Sequence, residues 1–195
     1  MEILQLHGAE IEAHWQELAA LRIRVFRDYP YLYEGTFDYE REYLSTYWRS
    51  PGSRVVLLRD SGSAVGASTC IPLADEAPEF RAPFTRPDDY FYLGESVLLP
   101  EYRGQRWGHF FFDEREARAR DLGFANTCFC AVERDPQPGH RSLEPFWRAR
   151  GYVHHPELHC SFAWKDLGAV SETEKQLSFW LKTERAEQPT QASAV

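Results

Sequence analysis

Cysteine is scarce in this chain. Four of the 195 residues are cysteine (Cys70, Cys128, Cys130 and Cys160), too few to staple a domain of this length with disulfides. Stability therefore has to come from a packed core, and the thiols are expected to be reduced. Positive charge is also short. Lysine and arginine total 22 against 30 acidic residues, a formal charge of −8, which sets the chain against the phosphate backbone of nucleic acid. No apolar run approaches the ~20 residues that a membrane-crossing helix needs. The opening Met1-Glu2-Ile3-Leu4 has neither the basic nor the apolar region of a signal peptide. These absences lead us to expect a cytoplasmic protein with no nucleic-acid and no membrane partner.

Aromatic residues, by contrast, are abundant at 15%, within a 43% hydrophobic composition. That argues against disorder and for one core-forming domain. We expect a single domain over residues 1–183, with a flexible C-terminal tail over 184–195. The hydrophobic pattern predicts a strand over 1–6, a helix over about 11–27, a break at Asp28-Tyr29-Pro30 and a helix over about 37–48. A strand at Arg54–Arg59, a turn at Asp60-Ser61-Gly62-Ser63 and a partner strand at Ala64–Leu73 read as a hairpin. A long proline-bearing loop over 74–89 is the kind that often carries function. Tyr90–Leu99 and Phe124–Val132 read as strands, Leu143–Arg150 as a short helix and Leu158–Trp164 as a strand. Ser171–Trp180 reads as an amphipathic helix, with Ser171 and Glu174 as a capping box.

Residues 90–132 hold the most informative unit: strand, polar loop, helix, strand. The loop, Pro100 to Gly108, feeds directly into a helix N-terminus. Free N–H groups and the helix dipole favour an anion there. Gly104 and Gly108 admit close approach of a ligand, and Arg103 and Arg106 add charge. A phosphate-bearing ligand suits such a site. The Walker pattern is missing, since no Gly-Lys-Ser/Thr is present, and so is the three-glycine dinucleotide fingerprint.

The segment Arg103-Gly104-Gln105-Arg106-Trp107-Gly108, preceded by Pro100-Glu101-Tyr102, resembles the Arg/Gln-x-x-Gly-x-Gly/Ala loop of the GNAT superfamily of acyl-CoA N-acyltransferases. Downstream, Pro145 to Tyr152 is similar to that family's late helix ending in Gly-Phe or Gly-Tyr. The likeness covers about residues 54–164. It implies an α/β (α+β) fold with a mixed, mostly antiparallel central sheet flanked by helices. It also implies central strands that splay apart to form a coenzyme A cleft. It further implies acetyl-CoA or another acyl-CoA as co-substrate, no metal, and direct attack of an amine on the thioester. The cofactor-binding residues implied are Val97, Leu98, Leu99, Arg103, Gly104, Gln105, Arg106, Trp107, Gly108 and His109. Arg106 departs from the pattern, because family members usually carry glycine there. Either it takes a positive φ at a cost of ~1 kcal/mol, or it keeps an ordinary φ and lends its charge to phosphate.

Glu95 sits where family members often place a catalytic glutamate. It is read as the general base, with a strand-end ion pair to an arginine as the other reading. At the position of the family's usual thiolate-protonating tyrosine stands Trp147, which has no hydroxyl. Tyr152, His140 and Tyr102 are the substitutes available, and a thiol of pKa ~8.5 can also leave unassisted. Cys128 and Cys130 share one strand face, as a nucleophile or as small core residues. His154, His155, His159 and Cys160 fit no zinc spacing.

The acceptor side is less determined. Tyr31, Tyr33 and Glu34, in the aromatic and acidic segment after the first helix, are candidate substrate residues, with Glu133 across the cleft. A small-molecule amine or a peptide fits, and the same resemblance leaves a homodimer open. The competing function is a non-catalytic acyl-CoA-binding regulatory module of the same fold. A cysteine enzyme or a metal protein is the third option.

Overall fold

The computed structural model describes residues 1–183. The tail expected over 184–195 lies outside the described residues. Among the described residues eight strands form one sheet, in the order β1 (Glu2–Leu6), β2 (Arg54–Asp60), β3 (Ser63–Pro72), β4 (Tyr90–Tyr92), β6 (Asn126–Val132), β8 (Thr173–Thr183) and β7 (Val153–Trp164), with β5 (Ser96–Leu98) paired to β3 off this path. Neighbours run antiparallel except β4 and β6, which are parallel.

Strand β1 (Glu2–Leu6) pairs with β2 (Arg54–Asp60), and β2 with β3 (Ser63–Pro72). The β2–β3 hairpin closes through Ser61 and Gly62, at φ 50° and 81°. Two successive left-handed residues give the turn that matches strand twist. Between β1 and β2 lie α1 (Ala9–Ala13), α2 (Trp15–Phe26) and α3 (Phe37–Arg49). The single helix expected over 11–27 is two, because His14, at φ −109° and ψ 8°, leaves helical geometry. Thr36 caps α3, accepting from the Tyr39 N–H at 3.3 Å.

The expected loop over 74–89 holds a short helix, α4 (Pro78–Arg81), whose Phe80 is buried. The expected strand Tyr90–Leu99 is divided into β4 (Tyr90–Tyr92) and β5 (Ser96–Leu98). Gly94 lies at the break, and the cause is steric. A Cβ on Gly94 would sit 2.5 Å from the Tyr47 hydroxyl and also against the Thr69 hydroxyl.

This division positions the site. Strand β4 pairs with β3 on one side and with Asn126–Cys128 of β6 (Asn126–Val132) on the other. The last link to β6 is the Leu93 N–H to Cys128 carbonyl bond at 2.7 Å. Beyond it β5 stays with β3, while β6 stays with β8 (Thr173–Thr183). The sheet therefore splays between β5 and the second half of β6. Helix α5 (Trp107–Asp121) follows β5, and α6 (Glu144–Ala149) precedes β7 (Val153–Trp164).

The helix expected over Ser171–Trp180 is instead β8, lying between β6 and β7 with a partner on each side. Its Leu177-Ser178-Phe179-Trp180 stretch is buried throughout. A short aromatic run satisfies helical and strand periods equally. Here the unpaired edges of two neighbours decide between them, since only a strand can satisfy both.

Side chains alternate across the sheet. Cys128 and Cys130 belong to the larger core, which includes Leu18 and Leu21 of α2 and Leu44 and Tyr47 of α3. Phe129 faces the other way and packs with Phe112, Tyr152 and Trp180.

Candidate functional site

The turn before α5 has the conformation that an anion site needs. Gly104 is at φ 76° and Arg106 at φ 69° and ψ 6°, both left-handed. Arg106 thus accepts the strained geometry rather than avoiding it, at a cost of roughly 1 kcal/mol. The first α5 hydrogen bond runs from the Phe110 N–H to the Arg106 carbonyl at 3.2 Å. The N–H groups of Trp107, Gly108 and His109 therefore precede the intrahelical ladder. A Cβ on Gly108 would meet only Phe146, at 3.9 Å, and one on Gly104 would meet nothing within 4 Å. Packing does not demand a glycine at 108, so the missing side chain leaves open space over the helix end. Open space beside free N–H groups is an arrangement that can admit an anion.

Arg103, half exposed, donates to the Leu98 carbonyl at 3.2 Å and lies 3.6 Å from Asp28. Gln105 donates to the Glu101 carbonyl at 3.2 Å. His109 is exposed, with its ring 4.9 Å from that of Phe146. Trp107 packs edge-on to Phe110.

Register sorts the three β5 candidates. The Thr69 N–H donates to Glu95, and the Leu99 N–H donates to Val65. Val97 stands opposite Ala67. Antiparallel alternation then turns the N–H groups of Ser96 and Leu98 away from β3, toward the gap beside β6. Of Val97, Leu98 and Leu99, only Leu98 presents its N–H to that gap. Val97 and Leu99 are occupied by β3, and both side chains are buried. Ser96, outside the set expected from the sequence, presents its N–H to the same gap.

Next to this gap lies a cleft of about 670 Å³, open solvent at its mouth included. Its walls come from distant parts of the chain: Arg22 and Phe26 of α2, Tyr39 and Tyr43 of α3, and Phe80 of α4. Tyr92 of β4, Cys130 of β6, and Phe162 and Trp164 of β7 complete it. Glu95, Tyr31 and Tyr33 also line it. Tyr31 is held by its carbonyl, which accepts from Trp164 Nε1 at 3.0 Å and from Arg134 at 3.2 Å.

Two candidate acceptor residues lie elsewhere. Glu34 points to Lys165, with Nζ at 3.0 Å, and Glu133 borders a separate surface depression with Arg134 and Asp135. Tyr33 and Glu34 are close in sequence, but the chain extends there, and alternation sends them to opposite sides.

Glu95 is both a cleft residue and a paired one. Its carboxylate meets the guanidinium of Arg22 and accepts from the Tyr43 hydroxyl at 2.8 Å. Arg22 is shared with Glu40, a carboxylate with no exposed surface. One cation thus faces two carboxylates at the cleft wall. Its guanidinium carbon lies 4.0 Å from the Tyr43 ring centre. Tyr43 in turn touches Tyr47 at 3.1 Å between hydroxyls, and Tyr47 donates to Glu76 at 2.9 Å. Burial raises the Glu76 carboxyl to about 7, against the lowering effect of the Ala77 N–H and of Tyr47. None of Arg22, Tyr43 or Glu76 carries a local sequence signal. They become visible only once α2, α3 and the 73–77 segment are packed together.

The candidate proton donors are engaged away from this cleft. Tyr152 is buried, contacts the Thr127 hydroxyl at 3.0 Å and donates to Glu116 at 3.1 Å. Burial first, and then the Glu116 charge, raises its phenol further. Tyr102 donates to Asp60 at 2.8 Å. His140 is exposed and packs on Tyr29. Trp147 packs between Phe129 and Trp180.

All four cysteines are free and buried. Burial pushes the Cys70 thiol up to about 12 and raises Cys128 and Cys130 well above the usual range. Nucleophilic thiolates are disfavoured by that environment. Among the described residues, no three His, Cys, Asp or Glu side chains converge on a metal position. No described helix is long and apolar enough to cross a membrane.

Solved structures share this architecture. The ribosomal-protein-alanine N-acetyltransferase from Brucella melitensis superposes with a TM-score of 0.61 at 16% identity, covering 94% of this chain and 99% of that one. An acetyltransferase of the GNAT family from Streptococcus pneumoniae gives 0.60 at 16%, covering 93% and 99%. The aminoglycoside N-acetyltransferase AAC(6')-Iy, solved with CoA, gives 0.52 at 14%, covering 77% and 86%. At these identities the likeness is one of fold. No curated protein matches the sequence itself. The sequence profile described as the Acetyltransferase (GNAT) family does match, over residues 15–152. That span includes α2, α3, the splayed strands and the turn that enters α5. The chain therefore belongs to the GNAT acetyltransferase family.

Proposed function

We propose that this protein is an acyl-CoA-dependent N-acetyltransferase, one domain over residues 1–183, acting on a small amine by direct attack. One observation carries the reading: the anion-binding turn Arg103–Gly108 and the aromatic cleft holding Glu95 flank the same splay between β5 and β6. A donor that is anionic at one end and reactive at the other spans such a site. Acetyl-CoA supplies the activated thioester. Arg103, Arg106 and the N–H groups of residues 107–109 hold its pyrophosphate. The N–H groups of Ser96 and Leu98 pair with the pantetheine arm and polarise the thioester oxygen.

On the other side, Glu95 takes the proton from the ammonium of the acceptor. The aromatic walls and the excess of carboxylate over guanidinium favour a cationic amine on an apolar body. The thiolate leaves without a protein acid, consistent with the engagement of Tyr152, Tyr102 and His140 elsewhere. Free buried cysteines accord with a cytoplasmic location.

Calorimetric titration with acetyl-CoA tests the donor site, and free-thiol release across a panel of primary amines tests the reaction. Failure to bind acetyl-CoA at high micromolar concentration would overturn the reading. The specific competitor is a non-catalytic acyl-CoA-binding module, favoured by Trp147 standing where a tyrosine hydroxyl is usual. Binding without thiol release from any amine would select it.

A further inference from the structure

The Glu95 carboxylate does not end at the cleft. It begins a hydrogen-bonded chain that leads inward through Tyr43 and Tyr47 to Glu76. The three links are 2.8 Å, 3.1 Å and 2.9 Å. Both ends are carboxylates and both middle members are phenols.

Counting protons shows what this chain can do. Three hydrogen bonds need three protons, and two phenols supply two. When both carboxylates are ionised, each tyrosine donates outward to its own carboxylate. The Tyr43–Tyr47 contact then holds no proton. One further proton, placed on either carboxyl, completes all three links. Placed on Glu95, the bonds run Glu95 to Tyr43 to Tyr47 to Glu76. Placed on Glu76, every bond reverses. The two filled states differ only in the direction of the chain.

We propose that Glu95 and Glu76 share one proton through Tyr43 and Tyr47, so that Glu76 stores the proton that Glu95 takes from the acceptor ammonium. This rests on the reading of Glu95 as the base. In the step, the ammonium N–H bond breaks and its electron pair stays on nitrogen. An O–H bond forms at Glu95. Each O–H along the chain is then exchanged for the next, ending at Glu76 Oε1. The proton lost when nitrogen attacks goes to the departing thiolate, and the stored proton returns to the open cleft after product leaves. Glu95 is thereby free of its proton without a water path to solvent. Glu76, Tyr43 and Tyr47 are positioning residues, because they act through Glu95.

The surroundings favour this arrangement. Glu76 is 3% exposed, and its second oxygen accepts from the Ala77 N–H at 2.9 Å. Burial raises Tyr43 and Tyr47 well above the ordinary phenol value, so they pass protons without ionising. Burial also places Glu76 near neutrality. The charged and titratable groups around it are Glu95, Tyr43 and Tyr47, Arg22 of α2, and Tyr92 and Cys128 of the sheet. Arg22 is committed to Glu40 and Glu95. Gly94 matters too, because any side chain there would displace the Tyr47 hydroxyl.

The test is infrared difference spectroscopy of the unliganded protein between pH 5 and pH 9. A protonated-carboxyl band titrating near pH 7 is expected. It should vanish in Glu76→Gln, and its frequency and midpoint should move in Tyr43→Phe and Glu95→Gln, neither of which alters a direct contact of Glu76. Absence of the band, or a band indifferent to Tyr43 and Glu95, would overturn the proposal. Thermal unfolding checks that Tyr43→Phe and Glu95→Gln are folded, and either one suffices for the test.

Turnover supplies the second readout, with acetyl-CoA and 2-phenylethylamine, extended to other arylalkylamines. Glu76→Gln should lower kcat about tenfold at pH 8 and move the acidic limb of its pH profile, while acetyl-CoA affinity stays unchanged. An unmoved limb would count against storage at Glu76. If no amine is turned over, the proposed reaction is at fault, and the infrared titration still decides whether the proton is shared.

Discussion

The Tyr43 hydroxyl donates to the Glu95 carboxylate at 2.8 Å. The bond joins α3 to the segment between β4 and β5, two parts of the chain with no sequence relationship. It places a phenol between the cleft wall and the interior, and it fixes one Glu95 oxygen while Arg22 holds the other.

Glu95→Gln should reduce kcat by roughly 10²–10⁴, the usual range for loss of a general base. Acetyl-CoA affinity should hold within about twofold. Steady-state kinetics with calorimetry checks both. An unchanged pH–rate profile would remove Glu95 from the proton-accepting role.

Arg22→Leu leaves Glu40 and Glu95 buried without their shared cation. A loss of about 3–5 kcal/mol in urea unfolding is expected, because breaking a buried pair strands its charge. The double variant Arg22→Leu/Glu40→Leu should regain much of that loss. A mild single-variant effect would mean that the pair is solvated.

Stability should depend on pH through Glu76. Its folded value is raised from 4.5 to about 7 by burial. The folded state therefore holds its proton after the unfolded chain has released it. The stabilising contribution is complete below about pH 4.5 and is lost as pH rises to about 7. The magnitude is on the order of 3 kcal/mol. Glu76→Gln should flatten this part of the curve in denaturant titrations run at successive pH values.

Arg106 allows two effects to be separated. Arg106→Gly should relieve the left-handed strain and stabilise by up to about 1 kcal/mol, while weakening acetyl-CoA binding through loss of charge. Arg106→Ala should weaken binding similarly without the stability gain. Equal stability of the two variants would mean that the turn stores no strain.

Arg103→Ala combined with Gly108→Trp should abolish measurable acetyl-CoA binding, while far-UV circular dichroism stays native. The open space over Gly108 is what makes that outcome expected, since only Phe146 lies near an added Cβ. Retained affinity would place the phosphate site elsewhere.

The left-handed glycine turn that enters α5 was legible because its parts are consecutive. Gly104, Arg106 and the N–H groups of 107–109 lie within six residues, and a turn entering a helix is a local event. The hairpin at Ser61-Gly62 was legible for the same reason. The aromatic cleft was only half legible. Tyr31, Tyr33 and Glu95 line it, but Arg22, Tyr43, Phe162 and Trp164 arrive from α2, α3 and β7. Strand β8 was misread because Leu177 to Leu181 suits a helix stripe as well as a buried strand.

Composition and local pattern alone determined the family resemblance, the turn that enters α5 and most element positions. Each depends on residues adjacent in the chain and on backbone preferences that act over a few bonds. Only the tertiary structure decided where β4 and β5 part, because Gly94 is required by the Tyr47 hydroxyl of a distant helix. It alone decided which of Ser96 to Leu99 presents an N–H to the cleft, because register is a property of two strands. The same holds for the chain from Glu95 to Glu76: a hydrogen bond forms wherever folding brings donor and acceptor within about 3 Å, and sequence separation has no part in that.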